Sequence, residues 1–303
     1  MHSMSKKRAF TVVMLLALAM HAYCDIEALM QEADRLHEEA RDEEAKDLLL
    51  KSLEAASSGR EQAEVYWRLA RAHLNMGDEA EKNNAPKDTI LAFFADGEQY
   101  GQKAIDLDED SHVAYYWRAA NIGRWGQVRG VLNSLFKAAG MHDLLVQAIT
   151  INPDYSDAYY VLGQLYEQVP SVISFGNVDF AVSLGRKAVH LHEQEVRAGV
   201  EQRMDYDFFT ELAKHLYARD WSSAKRAKKR PKQESRLASS QGILERSFYY
   251  EASIPLVEIA DRDEALELAR WVVSELEATP ERLPEDEDDL QEVRDLLADW
   301  GEQ

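Results

Sequence analysis

The chain has 303 residues, 46% of them hydrophobic, which is enough for a packed core and too many for a disordered chain. With 35 Lys and Arg against 55 Asp and Glu the formal charge is −20, which repels phosphate backbones and argues against nucleic acid as a partner. One cysteine, Cys24, excludes a disulfide framework and a cysteine-built zinc site, and only 7 Pro and 14 Gly among many Ala, Leu, Glu and Arg point to an all-helical chain.

Residues 1–23 have the layout of a bacterial export signal. Lys6, Lys7 and Arg8 give a positive start, and the apolar run from Ala9 to Met20 is too short to span a bilayer. Cys24 stands where a lipoprotein signal places the cysteine that becomes acylated, although His21 and Tyr23 depart from that pattern. The alternative is cleavage after Ala17-Leu18-Ala19, leaving a soluble periplasmic protein. In the first reading Cys24 is the lipidation site, and residues 24–303 form a single all-helical, membrane-anchored periplasmic domain.

From Asp25 onward, small and aromatic residues recur at helical spacing. A first pair of runs is Leu29, Ala33, Leu36 and then Ala45, Leu49, Ser52. Next, Tyr66, Leu69, Ala70 and His73 precede Gly97, Gly101 and Ala104. Tyr116, Ala119, Ala120 and Gly123 precede Met141, Leu145, Ala148 and Pro153, and Tyr159, Leu162, Gly163 and Tyr166 precede Ala181, Gly185 and Ala188. A last pair is Tyr249, Ala252, Ser253, Leu256 and then Ala265, Ala269, Val272. Small residues let two helices cross closely, and aromatics fill the space between neighbouring pairs. The pattern resembles the tetratricopeptide repeat (TPR) and implies an all-α, TPR-like helical-hairpin solenoid of about four degenerate repeats with additional helices.

In the first and last pairs nine residues separate the two runs, 36 to 45 and 256 to 265. The three central pairs are longer there, running 73 to 97, 123 to 141 and 166 to 181. All three insertions fall at the same turn, which in a solenoid is one rim. Each carries apolar residues: Phe93 and Phe94 in the first; Val128, Val131, Leu132, Leu135 and Phe136 just after Trp125 in the second; Val172 and Phe175 in the third. The run 128–136 has the spacing of one amphipathic helix. These ten residues form the expected ligand- or partner-binding rim; the plainer reading is longer helices packing on one another.

Lys225, Arg226, Lys228, Lys229, Arg230, Lys232 and Arg236 form a basic run in an acidic chain. Ser222, Ser223, Pro231, Ser239, Ser240 and Gly242 predict a loop over 222–242, solvated or in contact with anionic headgroups or an acidic partner. An acidic stretch, 280–289, precedes a last helix over 290–300. No serine elbow, HExxH, Walker or dinucleotide-binding motif occurs, so the chain reads as non-enzymatic, without cofactor or metal. His190, His192 and Glu193 fall at a helix end, at solvent-side positions.

An export signal, degenerate TPR units and long connections between paired helices together resemble the T component (TatT family) of TRAP, the tripartite ATP-independent periplasmic transporters. The stretches 116–121 and 151–158 carry the resemblance most clearly. It implies a non-enzymatic accessory subunit that binds the periplasmic solute-receptor subunit and passes an apolar ligand toward the permease. Apolar rims and solenoid ends add the expectation of a homo-oligomer, a trimer. A TPR lipoprotein scaffold for envelope protein assembly is the alternative.

Overall fold

The computed structural model describes residues 26–301, and the described residues hold helices and connections without a strand. After a first helix, α1, ending at residue 38, come α2 (Asp42–Ala55), α3 (Gly59–Lys82), α4 (Lys87–Leu107), α5 (His112–Arg129), α6 (Val131–Ile151) and α7 (Ser156–Gln168). Then follow α8 (Val178–Ala198), α9 (Asp207–Arg219), α10 (Ser223–Ser239), α11 (Ile243–Ser247), a 3-10 turn (Tyr250–Ser253), α12 (Asp261–Ala278) and α13 (Pro284–Asp299). The fold is all-α and built of TPR-like helical hairpins. The expected signal segment and Cys24 lie outside the described residues. Two compact units divide within α5, between Asn121 and Ile122.

In the first unit Ile26, Ala33, Leu49, Val65 and Leu69 close a core across α1, α2 and α3. The start of α3 is a capping box: Ser58 Oγ accepts the N–H of Glu61, and the Glu61 carboxylate accepts the N–H of Ser58. The first insertion is no separate element. It lengthens both members of a hairpin, so α3 has 24 residues and α4 has 21. Along this hairpin Phe94 fills the space left by Gly77, where a Cβ would come within 2.4 Å of the ring. Phe94 is wholly buried, which corrects its place on a binding rim: it is core.

In the second unit the hairpin tip between α5 and α6 falls at Gly130, whose φ of 97° suits a residue without a Cβ. The run 128–136 is therefore cut in two and does not form the single amphipathic helix its spacing predicts. Helices α7 and α8 form the next hairpin. The last repeat is the larger surprise. Its helices are α9 and α12, joined in a core by Val182, Leu212, Ala213, Leu216 and Ala265. Residues 249–256 do not make an α-helix: they hold only the 3-10 turn Tyr250–Ser253, and Pro255 disfavours helical backbone at Ile254, whose ψ is 162°. The partner run is instead Phe209, Leu212, Ala213 and Leu216, spaced like Tyr159, Leu162, Gly163 and Tyr166. The connection between α9 and α12 is thus the longest of these insertions, and it contains the basic run. That run is helix α10, not a loop. Ser222 caps it by accepting the N–H of Lys225, and its Ala, Lys, Arg, Gln and Glu favour helix on either side of an exposed Pro231.

Candidate interaction site

Of the expected rim residues, Trp125 and Phe136 are brought together at the α5–α6 tip, their rings edge to face at 6.3 Å. Lys137 Nζ lies 4.6 Å from the Trp125 ring centre. Ser134 Oγ reaches the carbonyl oxygens of Gly126 and Gly130, each at 3.1 Å, and so fastens the tip. Leu132 and Phe136 are 70% and 74% exposed on this fastened turn. Val128 and Leu135 are half-buried, and Val131 opens α6. In the connection between α7 and α8, Val172 is 93% exposed, whereas Phe175 tucks against Tyr166 and His142. Phe93, in the first unit, is half-buried beside His73. Fully burying one large apolar side chain is worth about 1.5–3 kcal/mol, so a partner that covers Leu132 and Phe136 gains most of that from each.

Elsewhere in the second unit six charges are sealed together. Arg219 binds Asp261 at 2.7 Å and Glu251 at 2.6 Å; Arg186 binds Glu264 at 2.7 Å and Glu251 at 3.2 Å. Arg226 bridges Asp261 and Glu264. Three cations meet three anions, and the N–H of Trp221 adds a bond to Asp261. Burial by itself would raise the Glu251 carboxyl, but Arg219 and then Arg186 outweigh it and hold the group at about 2. Asp261 and Glu264 are also held low, against burial, chiefly by Arg219 and Arg186 respectively. This lattice ties α8, α9, α10 and α12 together; its members are paired and carry no reactive group toward solvent.

Glu167, Glu211 and His215 are the one group of possible metal ligands found among the described residues. His215 Nδ1 lies 2.5 Å from Glu167, a hydrogen-bond distance and closer than about 3 Å, the separation of two ligands on one tetrahedral zinc. Its opposite edge fills the space left by Gly163 and Gly185. His215 is therefore a wedge at the crossing of α7, α8 and α9. His192, expected at a solvent-side position, is 4% exposed and stacks on Phe208 at 4.4 Å, while Nε2 accepts the N–H of Asp205.

A family model described as Regulator of microtubule dynamics protein 1-3 matches residues 29–172. The chain is 26% identical over 147 residues to Regulator of microtubule dynamics protein 1 of Mus musculus, covering 48% of this chain and 46% of that one. It is 24% identical over 147 residues to Regulator of microtubule dynamics protein 3 of the same species, covering 48% and 30%. The matched stretch thus spans less than half the length of these relatives. Among solved structures, a thermophilic TPR protein of Thermus thermophilus covers 75% of this chain and 98% of its own, with a TM-score of 0.48 and 13% identity.

These similarities overturn the resemblance to the TRAP T component. Proteins that share the stretch 29–172, which includes both of its most recognisable segments, are named for microtubule dynamics and not for solute transport. The solute-receptor partner, the transported apolar ligand and the lipid-anchored periplasmic location fall with it, and the envelope scaffold keeps only the support of the fold. No described helix is long and apolar enough to cross a membrane.

Proposed function

We propose that this chain acts by binding rather than by catalysis, as a helical-repeat module that engages microtubules or their subunits through the α5–α6 tip. One observation carries the reading. Leu132 and Phe136 stand in solvent beside a turn at Gly130 that Ser134 hydrogen-bonds, inside the stretch shared with the regulators of microtubule dynamics. Trp125 and Phe136 are the kind of large side chain that dominates interface energy, and the hydrogen-bonded tip presents them side by side. Val172 supports the same role from the next hairpin of this unit.

The test is microtubule co-sedimentation together with the turbidity time course of tubulin assembly, using the wild-type chain and a Leu132→Glu/Phe136→Glu variant. The wild-type chain is expected to pellet with microtubules and to change the assembly rate. The variant, altered only at exposed positions, is expected to keep its helix content and lose most of both effects. Equal behaviour of the two chains overturns the role of the tip; no effect of either chain overturns the microtubule reading.

A further inference from the structure

Helix α10 divides its cations between two faces. Arg226 and Arg230 turn inward. The first joins the buried lattice, and the second donates to the carbonyl oxygens of Glu251 (3.0 Å), Ala252 (2.9 Å) and Ile254 (2.5 Å), the open end of the 3-10 turn. Lys229, Lys232 and Arg236, with Gln233, recur at the spacing of a single helix face and line a cavity of about 210 Å³. None of these three cations has a carboxylate within ion-pair distance among the described residues. They stand in solvent on a chain of net charge −20, although 55 acidic residues were available to neutralise them.

Most of the rest of the cavity is aromatic. Phe180 of α8 stacks on Phe248 with ring centres 4.5 Å apart, and Tyr249 meets Phe180 edge-on at 5.7 Å. Trp221 closes the wall, with Lys229 Nζ 5.5 Å from its ring centre. Asp179, in the first turn of α8, adds one carboxylate to the lining, within electrostatic reach of Lys229 and Lys225, and Asn177 lies beside it. Three cations against one carboxylate leave the lining net positive, which favours anionic groups beside the aromatic rings.

We propose that this groove is a docking site for an acidic peptide segment of a partner protein: one aromatic or branched side chain enters the aromatic pocket, and flanking carboxylates lie along Lys225, Lys229, Lys232 and Arg236. Size favours a side-chain anchor over a complete small molecule, since ligand pockets usually enclose about 300–1,000 Å³ and this one is smaller. Length agrees as well. From Lys225 to Arg236 the helix rises about 16 Å, which about five extended residues span. Charge complementarity selects the acidic segment, and the aromatic floor selects its anchor. The site lies outside residues 29–172, so it is independent of the microtubule reading and nothing in the similarity to the regulators accounts for it.

The experiment is fluorescence anisotropy of the full chain with a labelled Glu-Glu-Phe-Glu-Glu peptide, the same peptide with Ala for Phe, and vesicles of phosphatidylcholine with phosphatidylserine. Saturable binding is expected for the Phe peptide. It should weaken about tenfold with the Ala peptide and about tenfold with Lys232→Glu/Arg236→Glu, and it should fall steeply as salt rises. Phe180→Leu, which keeps an apolar wall, should weaken the Phe peptide and leave the Ala peptide unchanged. The proposal is overturned if both peptides bind equally, if charge reversal changes nothing while circular dichroism shows the variant folded, or if the vesicles bind and the peptides do not.

Discussion

Gly97 shows how much one missing Cβ decides. The side chain of Asn121 occupies its place, at 2.0 Å from where a Cβ would stand, and donates to the carbonyl oxygens of Ala70 (2.9 Å) and Trp117 (2.8 Å). Gly97→Ala is expected to push Asn121 out of this bond and to destabilise the first unit by about 1–3 kcal/mol, more than the gain in helix propensity returns; urea denaturation measures it. The sequence marks Gly97 as a small crossing residue but not what fills the gap, because Asn121 lies 24 positions away on another helix. For the same reason Phe94 and Phe136 look alike in sequence. One meets Gly77 and is buried; the other points off a hairpin tip.

Among the elements, the four helices around the buried lattice carry the sharpest expectations. Arg219→Met leaves Asp261 and Glu251 short of a cation in a sealed place, with an expected loss of about 3–5 kcal/mol in urea or thermal unfolding. The lattice also sets an acid dependence. Glu251 is held at about 2, below its ordinary value, so its contribution is complete above about pH 4.5 and is lost as pH falls toward 2. Melting curves between pH 7 and pH 2.5 should show this loss, and they should be flatter in Arg219→Met.

Helix α13 has the opposite sign. Asp289 is pushed up to about 9 by burial, and then by Asp207, Asp205, Glu285 and Glu292. A raised carboxyl contributes fully below its ordinary value near 4 and loses that contribution as pH rises toward 9. Asp289→Asn should therefore raise stability at pH 8, by at least about 1 kcal/mol, and change little at pH 4.

Over the whole molecule, a net charge of −20 repels itself. Melting temperature is expected to rise with added sodium chloride, since salt screens exposed charges and hardly reaches the sealed lattice. A fall would show that exposed pairs such as Arg35 with Glu32 and Glu39 dominate instead. At the same scale the exposed basic face of α10 is the exception in charge, and the α5–α6 tip is an exception in hydropathy. Both lie on insertions between paired helices, where the repeat itself asks nothing of the side chains.

The all-helical class, the hairpin repeat and the positions of most insertions are legible along the chain, because small and aromatic residues at helical spacing report local crossings that recur. It also exposed the conflict of a basic run in an acidic chain. Three-dimensional contacts establish that α9 pairs with α12 across α10, that the basic run is helical, and that its arginines split between a buried lattice and an open groove. Those outcomes depend on contacts between residues 30 to 80 positions apart, such as Arg219 with Asp261 and Arg186 with Glu264. Periodicity within one helix does not encode them.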